Sequence, residues 1–276
     1  MSLVQLHGTD IRVPRLGFGS ASLHHLPSRG ERQRLLAEAF QLGFRYFDTA
    51  PYYGHGMAER ALGELARGRR DQVVIATKYG LSGSRLMRAL PALMYLRLAA
   101  HSATHRFLGY DGIAYRPRRN FSAAAATISL ERSLQTMRTD FVDVLLLHEP
   151  TLAELPDADE LIGALERLQQ AGKVRYLGIS GEAKDCGPIL RRFPLLGQVV
   201  HVNAAPGPEG LEQMRTDGLP CHVSFGHFRG RSGTIRELLD AAVRSHPDGV
   251  ILYSTRALPH LRETATAAAA LGVFAP

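Results

Sequence analysis

Short apolar runs separated by longer amphipathic stretches repeat along this chain. The runs fall near 15–20, 44–48, 73–77, 142–147, 174–179, 197–202, 220–225 and 249–253. They are dominated by Val, Ile, Leu and Phe, the composition of strands buried on both faces. Between them the spacing predicts helices over 29–42, 57–68, 123–138, 157–171, 184–192, 208–216, 232–245 and 259–271. Ser28 stands ahead of the first helix with Glu31 three residues on, the spacing of a reciprocal cap, and Gly43 and Gly172 stand where the first and fourth helices end. Ahead of the repeats, Val4–His7 and Ile11–Val13 flank Gly8-Thr-Asp10 and predict a β-hairpin. Strands alternating with helices imply right-handed crossovers and a parallel sheet. Eight such units favour closure into an α/β structure of the (β/α)8 TIM barrel type, expected to be one domain over 1–276. An open doubly wound sheet would want a glycine-rich phosphate turn after the first strand, and Gly17-Phe-Gly-Ser-Ala-Ser22 lacks the third glycine.

One interval breaks the rhythm. Residues 81–122 occupy a position where a β-to-α loop usually has about two to six residues. Within it Leu86–Leu98 is apolar enough for one or two short helices, interrupted by Pro91. Because the segment leaves the C-terminal end of the third strand, it is expected to lie beside any site there as a lid.

Composition narrows the function classes. The 276 residues are 45% apolar and 21% charged, ordinary for a folded core. No apolar run approaches the ~20 residues that span a bilayer, and Gln5, His7, Asp10 and Arg12 interrupt any signal-peptide core, so a cytoplasmic protein without membrane partners is expected. The net charge is +7, and 81–122 alone carries seven arginines against one acid. There is no tryptophan and no aromatic-interleaved basic platform, which argues against nucleic acid as a partner. Cys186 and Cys221 lack metal-ligand spacing and are expected to be free thiols; no metal is expected.

The candidate chemistry sits at the ends of the runs. Phe44–Phe47 leads into Asp48-Thr-Ala-Pro-Tyr-Tyr53-Gly, Val73–Thr77 leads into Lys78, and Val144–Leu147 leads into His148. Three successive strands thus each deliver a titratable group where parallel barrels build their active sites. Asp48, Tyr53, Lys78 and His148 are the expected cluster.

These stretches resemble the aldo-keto reductase family of NAD(P)H-dependent carbonyl reductases, and the resemblance covers nearly the whole chain. Besides the Asp48–Gly54 run it rests on Leu16-Gly-Phe-Gly-Ser20, Ala76-Thr-Lys78, Asp140–His148, Gly172–Ser180 and Pro259-His-Leu-Arg-Glu263. The resemblance implies that Tyr53 is the general acid, preferred over Tyr52 because it immediately precedes a glycine. It implies that Lys78 lowers the phenol's pKa, that Asp48 holds Lys78 charged, and that His148 hydrogen-bonds the substrate oxygen. The opening hairpin would plug the barrel bottom.

For the cofactor, the resemblance implies contacts from Gly19, Ser20 and Asp48, with Ser180 on the carboxamide. Gly181 stands where an asparagine is usual, and His201 where a glutamine is usual, with Asn203 on the same strand face. Phe225 would stack on the nicotinamide. The last turn, with Ser254, Thr255, Arg256, His260 and Glu263, would hold the adenosine phosphates. Ser254 and His260 replace a lysine and an arginine that many members aim at a 2′-phosphate, while Arg256 keeps the turn basic, so NADP is favoured and NAD is possible. The expected partner is a small-molecule carbonyl or alcohol: an aldehyde, a ketone or a sugar, as in relatives that oxidise aldoses and share a Ser/Thr-Gly pair like Ser180-Gly181. A nucleotide-binding sensor with little turnover is the alternative on the same fold.

Overall fold

A computed structural model describes residues 3–90, 92–96, 117–155 and 158–274. Strands β1 (Leu3–Gln5) and β2 (Arg12–Pro14) pair antiparallel as the expected hairpin. The eight apolar runs become β3 (Leu16–Gly19), β4 (Tyr46–Asp48), β5 (Val74–Tyr79), β8 (Val142–His148), β9 (Val174–Gly181), β10 (Val199–Asn203), β11 (Val223–Phe225) and β12 (Val250–Tyr253). They form a closed barrel in that order, all neighbours parallel, with β12 returning to β3. The expected barrel is therefore present.

Helices α1 (Arg29–Gln41), α2 (Met57–Ala66), α4 (Ala123–Met137), α5 (Ala158–Gln170), α6 (Ala183–Arg192), α7 (Glu209–Thr216), α8 (Ile235–Ser245) and α9 (Leu258–Ala270) follow successive barrel strands. Ser28 Oγ accepts the Glu31 N–H as anticipated. The fully reciprocal caps stand elsewhere, at Thr151/Glu154 and Thr234/Glu237.

Alternation along each strand decides what faces where, because successive side chains point to opposite faces. Phe47, Ile75, Leu145, Leu177 and Val200 point outward into the layer shared with the helices, where Leu35, Leu62, Leu130 and Leu165 meet them. Tyr46, Ala76, Val144, Leu146, Val199, Val223, Val250 and Leu252 point inward, and the hairpin's Leu6, Ile11 and Val13 fill the space among them. Space there is tight: a Cβ on Gly17 would lie 2.8 Å from Leu252 Cδ2 and 3.0 Å from Val250 Cγ1.

The hairpin is also tied to the barrel by charge. Arg175 reaches Asp10 at 2.5 Å and Asp143 at 2.7 Å, and Asp143 also takes Arg70 at 2.7 Å and the Ile75 N–H at 2.9 Å. The bottom is thus closed by apolar fill and an ionic clasp, which leaves the C-terminal rim of the strands for a site.

The neck of the long interval is a small antiparallel pair, β6 (Leu81–Ser82) with β7 (Arg118–Arg119). Between them α3 (Arg85–Ala89) and a helical turn at 92–96 stand where one or two short helices were expected of Leu86–Leu98. Tyr95 packs this turn against the α1–α2 side, its hydroxyl 3.3 Å from Leu26 O and 3.2 Å from Met57 Sδ. The rest of the expected lid, 97–116, lies outside the described residues.

Candidate active site

The inward parity of the barrel strands carries on to their C-terminal ends. Asp48 follows Tyr46, Lys78 follows Ala76, and His148 follows Leu146, each two residues on, so all three side chains rise from the barrel interior towards its mouth. Asp48 aligns with Ala76, and His148 aligns with Ser180, which aligns with His201.

Lys78 is the hub. Its Nζ donates to Asp48 Oδ1 at 2.6 Å, Asp48 Oδ2 at 2.7 Å, Thr49 O at 3.0 Å and the Tyr53 hydroxyl at 3.2 Å. Burial pushes the ammonium towards neutrality, but Asp48 and Tyr53 outweigh it and hold Lys78 charged above its usual pKa. Burial likewise pushes Asp48 up, and Lys78 with His201 brings it below the ordinary carboxylate value. The pair is an internal salt bridge at both ends.

Tyr53 sits on a turn that the sequence shapes with two glycines. Gly54, His55 and Gly56 have φ of 56°, 55° and 94°, three left-handed residues in succession. A Cβ on Gly54 would lie 2.4 Å from His24 Cβ, so glycine answers both the conformation and the space. His55 adopts the same conformation with a side chain, and its Nδ1 accepts the Ser84 N–H at 3.1 Å. The start of the long interval therefore braces the turn behind the phenol.

Burial raises the Tyr53 pKa to about 12, while Lys78 pulls it down. The expected lowering by Lys78 is present, yet desolvation exceeds it, so the net displacement is upward. The phenol is firmly protonated, which is the form a proton donor needs. His148 lies edge-on to Tyr53 with ring centroids 5.7 Å apart. Burial and then Lys78 hold its imidazole neutral, well below its usual pKa, and its Nδ1 has no partner among the described residues.

These groups open into a cavity of about 1000 Å³. Of the residues expected to hold a cofactor, Gly19, Asp48, Ser180, His201, Phe225, Ser254, Thr255, Arg256 and His260 line it. Three do not. Ser20 is buried behind the rim, with its N–H on Asp48 O at 2.9 Å. Gly181 is buried at the strand end, where a Cβ would lie 3.4 Å from Cys186 Sγ, and Glu263 is exposed on α9.

His201 does more than line the cavity. Its Nε2 is 2.8 Å from the Tyr46 hydroxyl and its Nδ1 is 3.4 Å from Asp48 Oδ1, both inside the barrel. Burial keeps the ring neutral. Both nitrogens face protein groups, so the ring joins the Lys78–Asp48 centre.

Several lining residues had no signal in the sequence: Ser22, His25, Glu149, Phe228 and Arg229. Arg229, His25, Arg256 and His260 all line the cavity, and His25 lies within the field of Arg256. The first turn of α9 has no side-chain cap, and Pro259 occupies one of its opening positions. An uncapped helix start two residues after Arg256 suits a phosphate group. The residues present thus fit a phosphorylated dinucleotide, with the basic end and the Tyr53 end in one cavity.

The profile of the Aldo/keto reductase family matches residues 15–185. The chain is 28% identical over 271 residues to L-galactose dehydrogenase of Arabidopsis thaliana, covering 95% of this chain and 68% of that one. It is 31% identical over 180 residues to D-threo-aldose 1-dehydrogenase of a Pseudomonas species, covering 63% of this chain and 52% of that one. The matched part therefore spans about two thirds and about half of these two relatives. Among solved structures, aldo-keto reductase AKR11C1 of Bacillus halodurans in its holo form aligns with a TM-score of 0.73 at 23% identity, over 97% of this chain and 90% of that one. An aldo-keto reductase of Klebsiella pneumoniae in complex with NADPH aligns with a TM-score of 0.67 at 21% identity, over 97% and 90%.

Proposed function

Because the chain belongs to the aldo/keto reductase family, we propose that it is an NADP-dependent oxidoreductase that interconverts a carbonyl and an alcohol, with Tyr53 as the acid and base. The observation that carries this is the Lys78 ammonium, buried and shared between the Asp48 carboxylate and the Tyr53 hydroxyl, at the floor of the cavity. NADP, when bound, supplies or accepts the hydride. The relative of known structure that was solved with NADPH and the relatives named for sugar dehydrogenation support the cofactor and the substrate class.

The protein groups divide the remaining work. Neutral His148 presents a ring nitrogen to the substrate oxygen and fixes the carbonyl between itself and Tyr53. The phenol stays protonated in the resting site and gives up its proton only to an alkoxide, a stronger base than phenolate. Lys78 stabilises the phenolate left behind, an electrostatic effect that is larger in a site drained of water. Asp48 keeps Lys78 charged and in place. In the oxidative direction the same phenolate takes the alcohol proton. Arg256, Arg229 and the α9 start would hold the phosphates, and Ser180 the carboxamide end. No described helix is long and apolar enough to cross a membrane.

Consumption of NADPH with a panel of aldehydes, ketones and aldoses tests the reading. Tyr53→Phe is expected to lower kcat by roughly 10²- to 10⁴-fold, the usual share of a positioned proton donor, while fluorescence titration shows NADPH affinity nearly unchanged. Full activity in that variant would remove Tyr53 from its role. Tight NADPH binding by the parent chain with no turnover of any carbonyl would replace the enzyme by a sensor.

A further inference from the structure

Glu149 follows His148 immediately and has φ of 53°, a left-handed conformation that costs an L side chain energy. Pro150 comes next, and a residue before proline ordinarily prefers an extended backbone. Two contacts hold it there. Its N–H donates to Ser180 O at 2.6 Å, and its carbonyl accepts Arg119 Nη2 at 2.5 Å. One tie comes from the neighbouring barrel strand and the other from the neck of the long interval.

Glu149 lines the same cavity as Tyr53, Lys78 and His148. Its carboxylate is exposed and forms no ion pair or hydrogen bond with the described residues. Arg119, the cation bonded to its backbone, spends its guanidinium on Glu154 at 2.5 and 2.7 Å. The carboxylate also pushes the Tyr53 phenol up, so its field reaches the reacting group. Among the described residues it is a carboxylate outside any ion pair, in a cavity whose other charged side chains, apart from the Asp48 held by Lys78, are positive.

Resting on the proposed carbonyl–alcohol chemistry, we propose that Glu149 is a specificity residue that selects neutral, polyhydroxylated carbonyl substrates and rejects carboxylate-bearing ones. A carboxylate has two oxygens that accept hydrogen bonds from adjacent hydroxyls, and charge-assisted bonds of this kind are strong. The same charge repels a substrate acid docked on its side of Tyr53. A cationic substrate would meet Lys78 in the same cavity. Spending a left-handed backbone on the residue beside His148 fits a side chain that must point at the substrate.

The test compares D-galactose with D-galacturonate, which differ at the carbon farthest from the carbonyl, in the parent chain and in Glu149→Gln. An aromatic aldehyde without hydroxyls reports turnover in both. The parent chain is expected to favour the neutral sugar by at least about 100-fold in kcat/KM, since misplaced like charges cost several kcal/mol. Glu149→Gln is expected to narrow that preference at least about tenfold, mainly through a lower KM for the uronate. Rising salt should shrink the preference of the parent chain and leave that of the variant flat. Glu149→Asn, whose side chain tolerates a left-handed backbone, stands in where Glu149→Gln does not fold. A preference unmoved by losing the charge, or a parent chain that favours the uronate, overturns the assignment of Glu149 while the reductase reading stands. No turnover of the aromatic aldehyde by the parent chain removes that reading, and this inference with it.

Discussion

Arg256 is the residue on which cofactor choice turns. The positions where a lysine and an arginine were expected hold Ser254 and His260, and Arg256 lines the cavity beside the uncapped start of α9. His25 and its stacked neighbour His24 are nearby but poor cations: burial lowers both, His24 to about 4, and Arg256 adds to the effect. Arg256 and Arg229 therefore supply the positive charge at neutral pH. Arg256→Met is expected to weaken NADPH binding by about 10- to 100-fold, the worth of one charge-assisted pair, with little change for NADH. Parallel fluorescence titrations of the two nucleotides check this, and equal losses would place Arg256 on the shared pyrophosphate. At this scale Asp48, Lys78 and His148 were legible because each ends an apolar run, and Tyr53 because it precedes a glycine in the turn after Asp48. Glu149 was not, since nothing in the letters Glu-Pro announces a left-handed backbone held by Arg119 thirty residues away in sequence.

The strands were legible as elements because a strand buried on both faces is written in consecutive apolar letters, and the helices because their apolar spacing and end glycines agree. Contacts between elements were less so. The resemblance suggested that the hairpin plugs the barrel, but the clasp that locks it joins Asp10, Arg70, Asp143 and Arg175 from four separate stretches. Asp143 is the part of it that is buried, 2% exposed, and it also accepts the Ile75 N–H. Asp143→Ala would strand that N–H and leave two arginines without their partner. Because both arginines are partly exposed and water can reach them, the loss is expected to be about 2–3 kcal/mol, below the 3–5 of a fully buried broken pair. Urea denaturation should show a lower midpoint with an unchanged slope. His201 teaches the same lesson for the site: its strand and face were foreseen, while its engagement with Tyr46 and Asp48 depends on how the ring closes.

For the molecule as a whole, the seam at β11 adds three buried histidines to the response to acid, beside His24, His148 and His201, whose pKa values burial also lowers. This strand is only three residues long and shares two register pairs with β12. Histidines stitch it to its surroundings. His222 Nδ1 accepts the Val200 N–H at 3.0 Å, so its Nε2 carries the proton it gives to His7 O at 3.0 Å. His246 Nε2 donates to Cys221 O at 3.1 Å, so its Nδ1 accepts from Ser224 at 2.8 Å, and Ser224 Oγ in turn accepts from His227 Nε2 at 2.8 Å. His222 and His246 each use one ring nitrogen as an acceptor and so work only in the neutral form, and burial first of all lowers the pKa values of all three rings to about 4. The unfolded chain takes up these protons near the ordinary histidine value of about 6.5, before the folded chain can. Stability from these groups is complete above that pH and is lost as pH falls towards about 4. Unfolding free energies measured by urea from pH 7.5 to 4.5 should therefore fall below pH 6.5 with a slope of more than one proton, each proton contributing about 1.4 kcal/mol per pH unit. His222→Gln, whose amide can accept from Val200 and donate to His7, is expected to reduce that slope by close to one proton. A stability flat from pH 7 to 5, or a slope untouched by that substitution, would show that the seam does not titrate.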